Sequence, residues 1–447
     1  MTTSTKVDLT TLTLIELANG VASGAMTPSD IAEASLARIQ ALDDRVQAWS
    51  YLNPAEVRAQ ADALTAEAKA GKLRGPLHGI PVGVKDEFHV AGQPTYMADP
   101  EGKPQPVDAT SVAKLRAAGA IIMGKTHMPI DGKLPPTRNP WNLAHTAGGT
   151  SSGSGAVVGA RMAPVALGEQ TAGSNLRPAA FCGVAALKPT YGRISRFGMY
   201  PFAWSHDHAG IIGLSMDDIA LVFSVLAGPD PLDPTTRTEG PSPASLGILG
   251  MRPPRIGVVR NFFPERTEPV MLQAIETSAA SLRTAGATVT DLMLPDDFGL
   301  TWMAHRLVGG AEGLTLRGRR YNDGSLPMNG RDVAASLVPA TYYLQAQRVR
   351  RYLWAKLQAL FTDVDALLMA VAPGAAPKGI GSTGDASLLS PWSCLGDPAI
   401  TVNGGLSPEG LPLGLQFVAG PMGDYGLLRV GAWCEEVLGR LPAPSVA

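Results

Sequence analysis

Two parts of the sequence carry residues that could act on a carbonyl. One is Lys85, which follows the short apolar run Ile80 to Val84. The other is a glycine-rich tract holding several hydroxyls, Gly148-Gly149-Thr150-Ser151-Ser152-Gly153-Ser154-Gly155, followed by Gly168-Glu169-Gln170-Thr171-Ala172-Gly173-Ser174. A serine hydroxyl is a weak nucleophile and needs a base. A lysine serves as that base only when neutral, which requires burial or nearby positive charge. Between Asn139 and Leu187, 49 residues hold three charges, Arg161, Glu169 and Arg177. These surroundings are expected to be buried and to keep Lys85 neutral, with Lys125 as a candidate source of positive charge. The turn before Ser174 could aim the N–H groups of Thr171, Ala172, Gly173 and Ser174 at one point, as an oxyanion hole requires. Taken alone, however, Lys85 reads more readily as a surface lysine at a strand end, paired with Asp86.

Other readings of the same residues compete. Serine–glycine runs are commonly flexible linkers, but a linker is not usually embedded in so apolar a stretch. A phosphate loop needs Gly-Lys-Ser/Thr at its end, which is missing, and Gly153, Gly155 and Gly159 have the wrong spacing for GxGxxG. Gly149 to Gly153 matches the nucleophile elbow GxSxG with Ser151 as nucleophile. That motif requires a strand immediately before it, and Arg138 to Ala147 does not read as a buried strand. His206 and His208 could supply two metal ligands, although a zinc site needs at least three from the protein. Cys182 reads as a small buried residue before it reads as a nucleophile. Met199, Tyr200, Phe202 and Trp204 fit either core or an acyl pocket.

The elements that must position these groups follow from periodicity and punctuation. Thr27-Pro28-Ser29-Asp30 is a helix start, and a second helix is predicted from Pro54 to Lys69. Ile80 to Val84 and Ala120 to Met123 read as buried strands with a helix, Ser111 to Ala118, between them. Ala156 to Gly159 suits a buried helix, and Met216 to Leu226 another. After Gly228 a loop rich in proline and glycine runs to about Arg255. Then follow a strand (Ile256 to Val259), a helix (Pro269 to Ala285), a strand (Thr288 to Leu294) and a long helix (Val338 to Phe361). Strands at Ala399 to Val402 and Leu413 to Val418 and a helix at Leu427 to Leu438 end the series. The strand–helix–strand rhythm predicts an α/β fold with a mixed or parallel sheet covered by helices.

Composition removes whole classes of function. The chain has 447 residues, 37 Lys plus Arg against 39 Asp plus Glu, and a net charge of −2. No basic stripe is present to draw in nucleic acid. At 45% hydrophobic residues the chain is not expected to be disordered. No apolar run approaches the roughly 18 residues of a membrane span. Cys182, Cys394 and Cys434 are far apart and fit a reducing compartment, and the polar Met1 to Thr10 is unlike a signal peptide. A cytoplasmic protein is expected.

From Gly148 to Arg193 the sequence resembles the signature of the amidase signature family, which are Ser–cis-Ser–Lys hydrolases. Gly75-Pro76-Leu77-His78-Gly79-Ile80-Pro81-Val82-Gly83-Val84-Lys85-Asp86 is similar to the family's lysine motif. Further likeness lies in Asp108 to Met128, Asn139-Pro140-Trp141, Asp397-Pro398-Ala399-Ile400 and Leu411-Pro412-Leu413-Gly414-Leu415-Gln416, so it spans about residues 10 to 440. The resemblance implies one large amidase domain over 1–447, with a central mixed sheet covered by helices on both faces. Within it, about 10–70 would be an N-terminal helical segment and 75–230 the catalytic core.

It also implies roles. Ser174 would be the nucleophile and Lys85 the base, acting through a bridging hydroxyl 24 residues before the nucleophile, at Thr150. The family usually has serine there; threonine keeps a hydroxyl that donates and accepts. Ser151 and Ser152 are the alternatives. Gly149, Ser151, Ser152, Asp207 and Arg177 would support the site, although Arg177 stands three residues after the nucleophile where the commoner pattern has arginine at two. The implied activity is hydrolysis of small or aryl amides through an acyl-enzyme, with side activity on esters and carbamates. Neither cofactor nor metal is implied, and the expected partner is the small-molecule substrate alone, with no nucleic acid or membrane, in a monomer or homodimer. The alternative is the glutaminase subunit of a tRNA-dependent amidotransferase, whose usual Asp-Thr-Gly-Gly-Ser is here Gln170-Thr171-Ala172-Gly173-Ser174. Specificity is expected from the loop near Met97 to Pro106 and from residues 129–137 and 300–345.

Overall fold

The computed structural model describes residues 8, 11–237, 252–322, 328 and 330–446. Its strands are, in chain order, β1 Trp49–Leu52, β2 Pro81–Lys85, β3 Ile121–Thr126, β4 Arg138–Asn139, β5 Asn142–Thr146, β6 Val165–Gln170 and β7 Ala185–Lys188. They continue with β8 His208–Gly213, β9 Arg255–Val259, β10 Thr288–Leu292, β11 Ala366–Ala370, β12 Ala399–Leu406 and β13 Pro412–Val418. Eleven of them form one sheet in the order β1-β3-β2-β6-β8-β7-β12-β13-β11-β9-β10. β2 runs parallel to β3 and β6, and β9 runs parallel to β10 and β11. The other pairs are antiparallel. This is the mixed sheet expected, and helices flank it.

The strands that matter most here, β2, β3 and β6, are buried along their whole length. A strand covered on both faces reads as a continuous apolar run rather than an alternation. That is why Ile80 to Val84 was legible. β3 continues past its predicted end to take in Gly124, Lys125 and Thr126, because a buried carboxylate, Asp86, receives the Lys125 ammonium.

The predicted helices Pro54–Lys69 and Met216–Leu226 form with those bounds. At the predicted start near Thr27, its side chain accepts the Asp30 N–H while Asp30 reaches back to the Thr27 N–H. The predicted long helix is shorter, Ala340–Leu357, and then tightens into a 3-10 turn at Gln358–Thr362. The buried helix predicted from Ala156 begins earlier, at Ser152. Its Ser-Gly-Ser-Gly start has poor helix propensity, and packing overrides that. A Cβ at Gly153 would stand 2.4 Å from both the Ala48 carbonyl oxygen and the His127 nitrogen. Arg138 to Ala147 holds no buried strand of the main sheet, in line with expectation: it carries the separate two-stranded hairpin β4–β5, only partly buried. The proline- and glycine-rich stretch predicted after Gly228 lies, from 238 to 251, outside the described residues. Among the described residues no helix is long and apolar enough to cross a membrane.

Candidate active site

The parallel strands β2 and β6 deliver their C-terminal ends side by side. Lys85 closes β2, and Glu169 and Gln170 close β6. Between them and the buried helix Ser152–Gly159 runs the tract 147–151, with a cis peptide bond joining Gly149 and Thr150. The Ser151 N–H donates to the Ser174 carbonyl at 3.1 Å, which seats the tract against the turn carrying Ser174.

Lys85 is completely buried. Its Nζ donates to Thr150 Oγ1 at 2.6 Å. The two competing hydroxyls are engaged elsewhere. Ser151 Oγ donates to the Glu169 carbonyl and accepts the Glu169 N–H, and Ser152 Oγ donates to the His127 carbonyl at 3.3 Å. Arg177 donates from Nη2 to the Gly149 carbonyl at 2.6 Å, so it holds the peptide that precedes Thr150. Burial pushes its guanidinium down to about 10, opposed by Asp385.

Ser174 lies between β6 and the short helix Leu176–Phe181 and is 8% exposed. Two side chains pull the carbonyls of the preceding turn outward. His305 Nε2 donates to the Thr171 carbonyl at 3.0 Å, and Ser393 Oγ donates to the Ala172 carbonyl at 2.7 Å. In a trans peptide the N–H points opposite to the C=O, so the N–H groups of Ala172 and Gly173 face away from His305 and Ser393. Among the described residues no acceptor takes the N–H of Ala172, Gly173 or Ser174. Gln170 Oε1 accepts the N–H groups of Asn175 and Leu176, fixing the exit of the turn. Such an arrangement can receive a developing oxyanion.

Charge at the site differs from expectation. The surroundings of Lys85 are not free of charge: Glu169 Oε2 lies 3.0 Å and Glu87 Oε2 3.2 Å from its Nζ, and both carboxylates are buried. Burial pulls the amine down, but the two carboxylates outweigh it and hold Lys85 above its ordinary value. The expectation of a lysine kept neutral by an apolar setting is therefore overturned. Lys125 does not supply a neighbouring positive charge either. It pairs with Asp86 at 3.2 Å, so Asp86 is not the partner of Lys85. Burial works against the Glu87 carboxylate and Lys85 works for it, so its ionised form depends on the ammonium beside it. Asp207 accepts the N–H groups of Phe202 and Ala203 and lies 2.9 Å from Thr171 Oγ1. It is pushed up to about 7 by burial and by Glu169.

Three residues of this arrangement, Glu87, Glu169 and Ser393, had no predicted role, and His305 was placed only within the 300–345 stretch expected to set specificity. Glu169 carried a signal as one of three charges in 49 otherwise uncharged residues, and Glu87 stands two residues beyond the lysine. His305 and Ser393 come from distant segments and carry none. The remaining candidates separate. His206 stacks on His305 with ring centroids 4.7 Å apart, whereas His208 Nδ1 faces the Gln170 and His206 carbonyls. Burial lowers both imidazoles well below their ordinary value. Cys182 is buried, its Sγ directed at the Ala147 carbonyl, and burial pushes its thiol up. Met199 joins the core while Trp204 stays exposed.

The sequence model of the Amidase family matches residues 30–298 and 327–428. The chain is 36% identical to a glutamyl-tRNA(Gln) amidotransferase subunit of Anaeromyxobacter sp. (strain K), covering 98% of each protein. It is 33% identical to the AtzE subunit of the 1-carboxybiuret hydrolase of Pseudomonas sp. (strain ADP), covering 94% of this chain and 98% of that one. Among solved structures, a peptide amidase in complex with the competitive inhibitor chymostatin superposes with a TM-score of 0.85 at 30% identity, covering 97% of this chain and 99% of the other.

Proposed function

We propose that this chain, which belongs to the Amidase family, is a serine hydrolase that cleaves carboxylic amide bonds of small or aryl amides, with side activity on esters and carbamates. The observation that carries the reading is the contact of Lys85 Nζ with Thr150 Oγ1 at 2.6 Å, beside the turn that presents Ser174. Thr150 passes the Ser174 proton to Lys85 as Ser174 Oγ attacks the carbonyl carbon. The N–H groups of residues 171–174 receive the oxyanion, the relay returns the proton to the leaving amine, and water releases the acid from the acyl-enzyme. Arg177 keeps Thr150 in place through the Gly149 carbonyl. The chemistry uses no cofactor, and the protein acts in the cytoplasm as a monomer or homodimer.

An activated fluorophosphonate tests this. Wild type is expected to be labelled on Ser174, and Ser174→Ala to lose both labelling and turnover on a panel of anilides, primary amides, esters and carbamates. An unlabelled wild type, or a Ser174→Ala variant with full turnover, defeats the reading.

A second reading, a glutaminase subunit of an amidotransferase, is favoured by the near full-length similarity to one amidotransferase component. Gln170 and Ala172, where those subunits carry aspartate and glycine, weigh against it. Co-elution of native protein with partner subunits, together with ammonia release from glutamine, would replace the first reading with this one.

A further inference from the structure

The contacts of Lys85 contain a difficulty for its use as a base. An ammonium has three N–H donors, and Nζ has three acceptors within reach: Thr150 Oγ1 at 2.6 Å, Glu169 Oε2 at 3.0 Å and Glu87 Oε2 at 3.2 Å. Two donors are engaged by the hydrogen bonds to Thr150 and Glu169 and the third N–H stands beside the Glu87 carboxylate as an ion pair, so the ammonium has no lone pair to take the proton of Thr150. We propose that Glu87 and Glu169 are positioning residues that hold Lys85 as an ammonium at rest, so that the relay opens only after Lys85 has lost one proton. This rests on the reading of Ser174, Thr150 and Lys85 as the relay.

The charges around Lys85 leave nothing to oppose the two carboxylates. β3 contributes Lys125, which is engaged by Asp86 at 3.2 Å. β6 contributes Glu169 itself. The segment before β8 contributes Asp207, reached from Glu169 through Thr171, whose Oγ1 lies 2.6 Å from Glu169 Oε1 and 2.9 Å from Asp207 Oδ1. The helix Ser152–Gly159 packed on β2 has no ionisable side chain. One cation thus stands among three buried carboxyl groups. Among the described residues neither Glu87 oxygen has a hydrogen-bond partner, so the ion pair with Lys85 is what compensates that side chain. Removing the Lys85 proton leaves buried carboxylates without a cation, which is costly in an apolar interior.

The opening step is balanced by solvent base. Hydroxide takes a proton from Nζ to give water and a neutral amine. The Nζ lone pair then accepts the Thr150 proton as Thr150 accepts that of Ser174. Burial favours the neutral amine and the carboxylates oppose it, so a variant lacking one carboxylate must open at lower pH.

The test is the second-order rate of fluorophosphonate labelling of Ser174 between about pH 6 and 11, a range spanning the ordinary lysine value of roughly 10.4. In wild type the rate is expected to keep rising beyond about pH 9. Glu87→Gln and Glu169→Gln preserve shape, and each is expected to move this acid limb down by about one pH unit or more, the usual effect of a close opposite charge. The alkaline plateau should stay within about threefold of wild type, whereas a merely structural role would lower the plateau and leave the limb in place. A wild-type rate already flat from pH 6 overturns the inference without any variant, as does an unmoved or raised limb in both glutamine variants. Failure of wild type to label at any pH strikes instead at the assignment of Ser174.

Discussion

Lys85 and Lys125 occupy adjacent strands of one sheet, where Val84 pairs with Lys125 and Lys85 with Thr126. Both are fully buried, and both have three polar contacts. Lys125 meets Asp86 at 3.2 Å, the Pro94 carbonyl at 3.1 Å and Thr95 Oγ1 at 3.0 Å. Burial takes it down to about 8, with Asp86 opposing. Lys85 has a second carboxylate and moves the other way. The amine that loses its proton more readily is therefore not the one in contact with Thr150. Thr95 already donates its own hydrogen to the Phe88 carbonyl, which ends any relay, whereas Thr150 keeps a hydrogen to exchange. Burial alone does not make a lysine a base. The hydroxyl it touches, and where that hydroxyl leads, decides its role.

Replacing each lysine by methionine breaks this comparison most directly. With both variants folded at 25 °C, Lys85→Met should slow fluorophosphonate labelling of Ser174 by at least about a thousandfold, the scale at which loss of one relay member disables the whole unit. Lys125→Met should stay within about tenfold. Its cost is in stability, about 3–5 kcal/mol, because Asp86 is left buried without its cation. Adding Glu87→Gln and Glu169→Gln to Lys85→Met should recover the melting temperature and leave labelling slow. Equal loss of labelling from the two lysines would show that they do not differ in role.

A smaller effect separates the hydroxyl from its methyl group. Thr150→Val keeps shape and removes the proton carrier, and should lower labelling about a hundredfold, within the usual range for a general acid–base contribution. Thr150→Ser should remain within about fivefold of wild type. A fast valine variant would move the bridging role to another hydroxyl.

The same contrast explains what was legible in the sequence. β2 was readable because a doubly covered strand is a plain apolar run, and Ser174 because its turn is short and local. The opposite sign of the Lys85 shift was not readable. Glu87 and Glu169 meet only when β2 and β6 align, across 82 residues of chain. Nor was the outward pull on the turn before Ser174, since His305 and Ser393 arrive from segments far along the sequence. Local pattern gave the groups proposed to react. The groups that set their charge and direction came from long-range packing.

The smallest effect concerns the pair outside the proposed relay. Burial raises Asp86 to about 6, opposed by Lys125, and lowers Lys125 to about 8. A raised carboxylate contributes stability that is complete below its unfolded value of about 3.9 and is lost as pH rises through 6. A depressed lysine works in the other direction. Between 8 and about 10.4 the unfolded chain holds the extra proton, so stability rises with pH there. The ionised pair is thus least favourable between pH 6 and 8, where each partner pays for burial. The double variant Asp86→Asn, Lys125→Met removes both titrations, and its melting temperature relative to wild type should be highest near pH 7 and fall by a few degrees at pH 5 and pH 9.5. A difference independent of pH would mean that the pair is solvated and that its two shifts are absent. The contrast with Lys85 would then rest on proton routing alone.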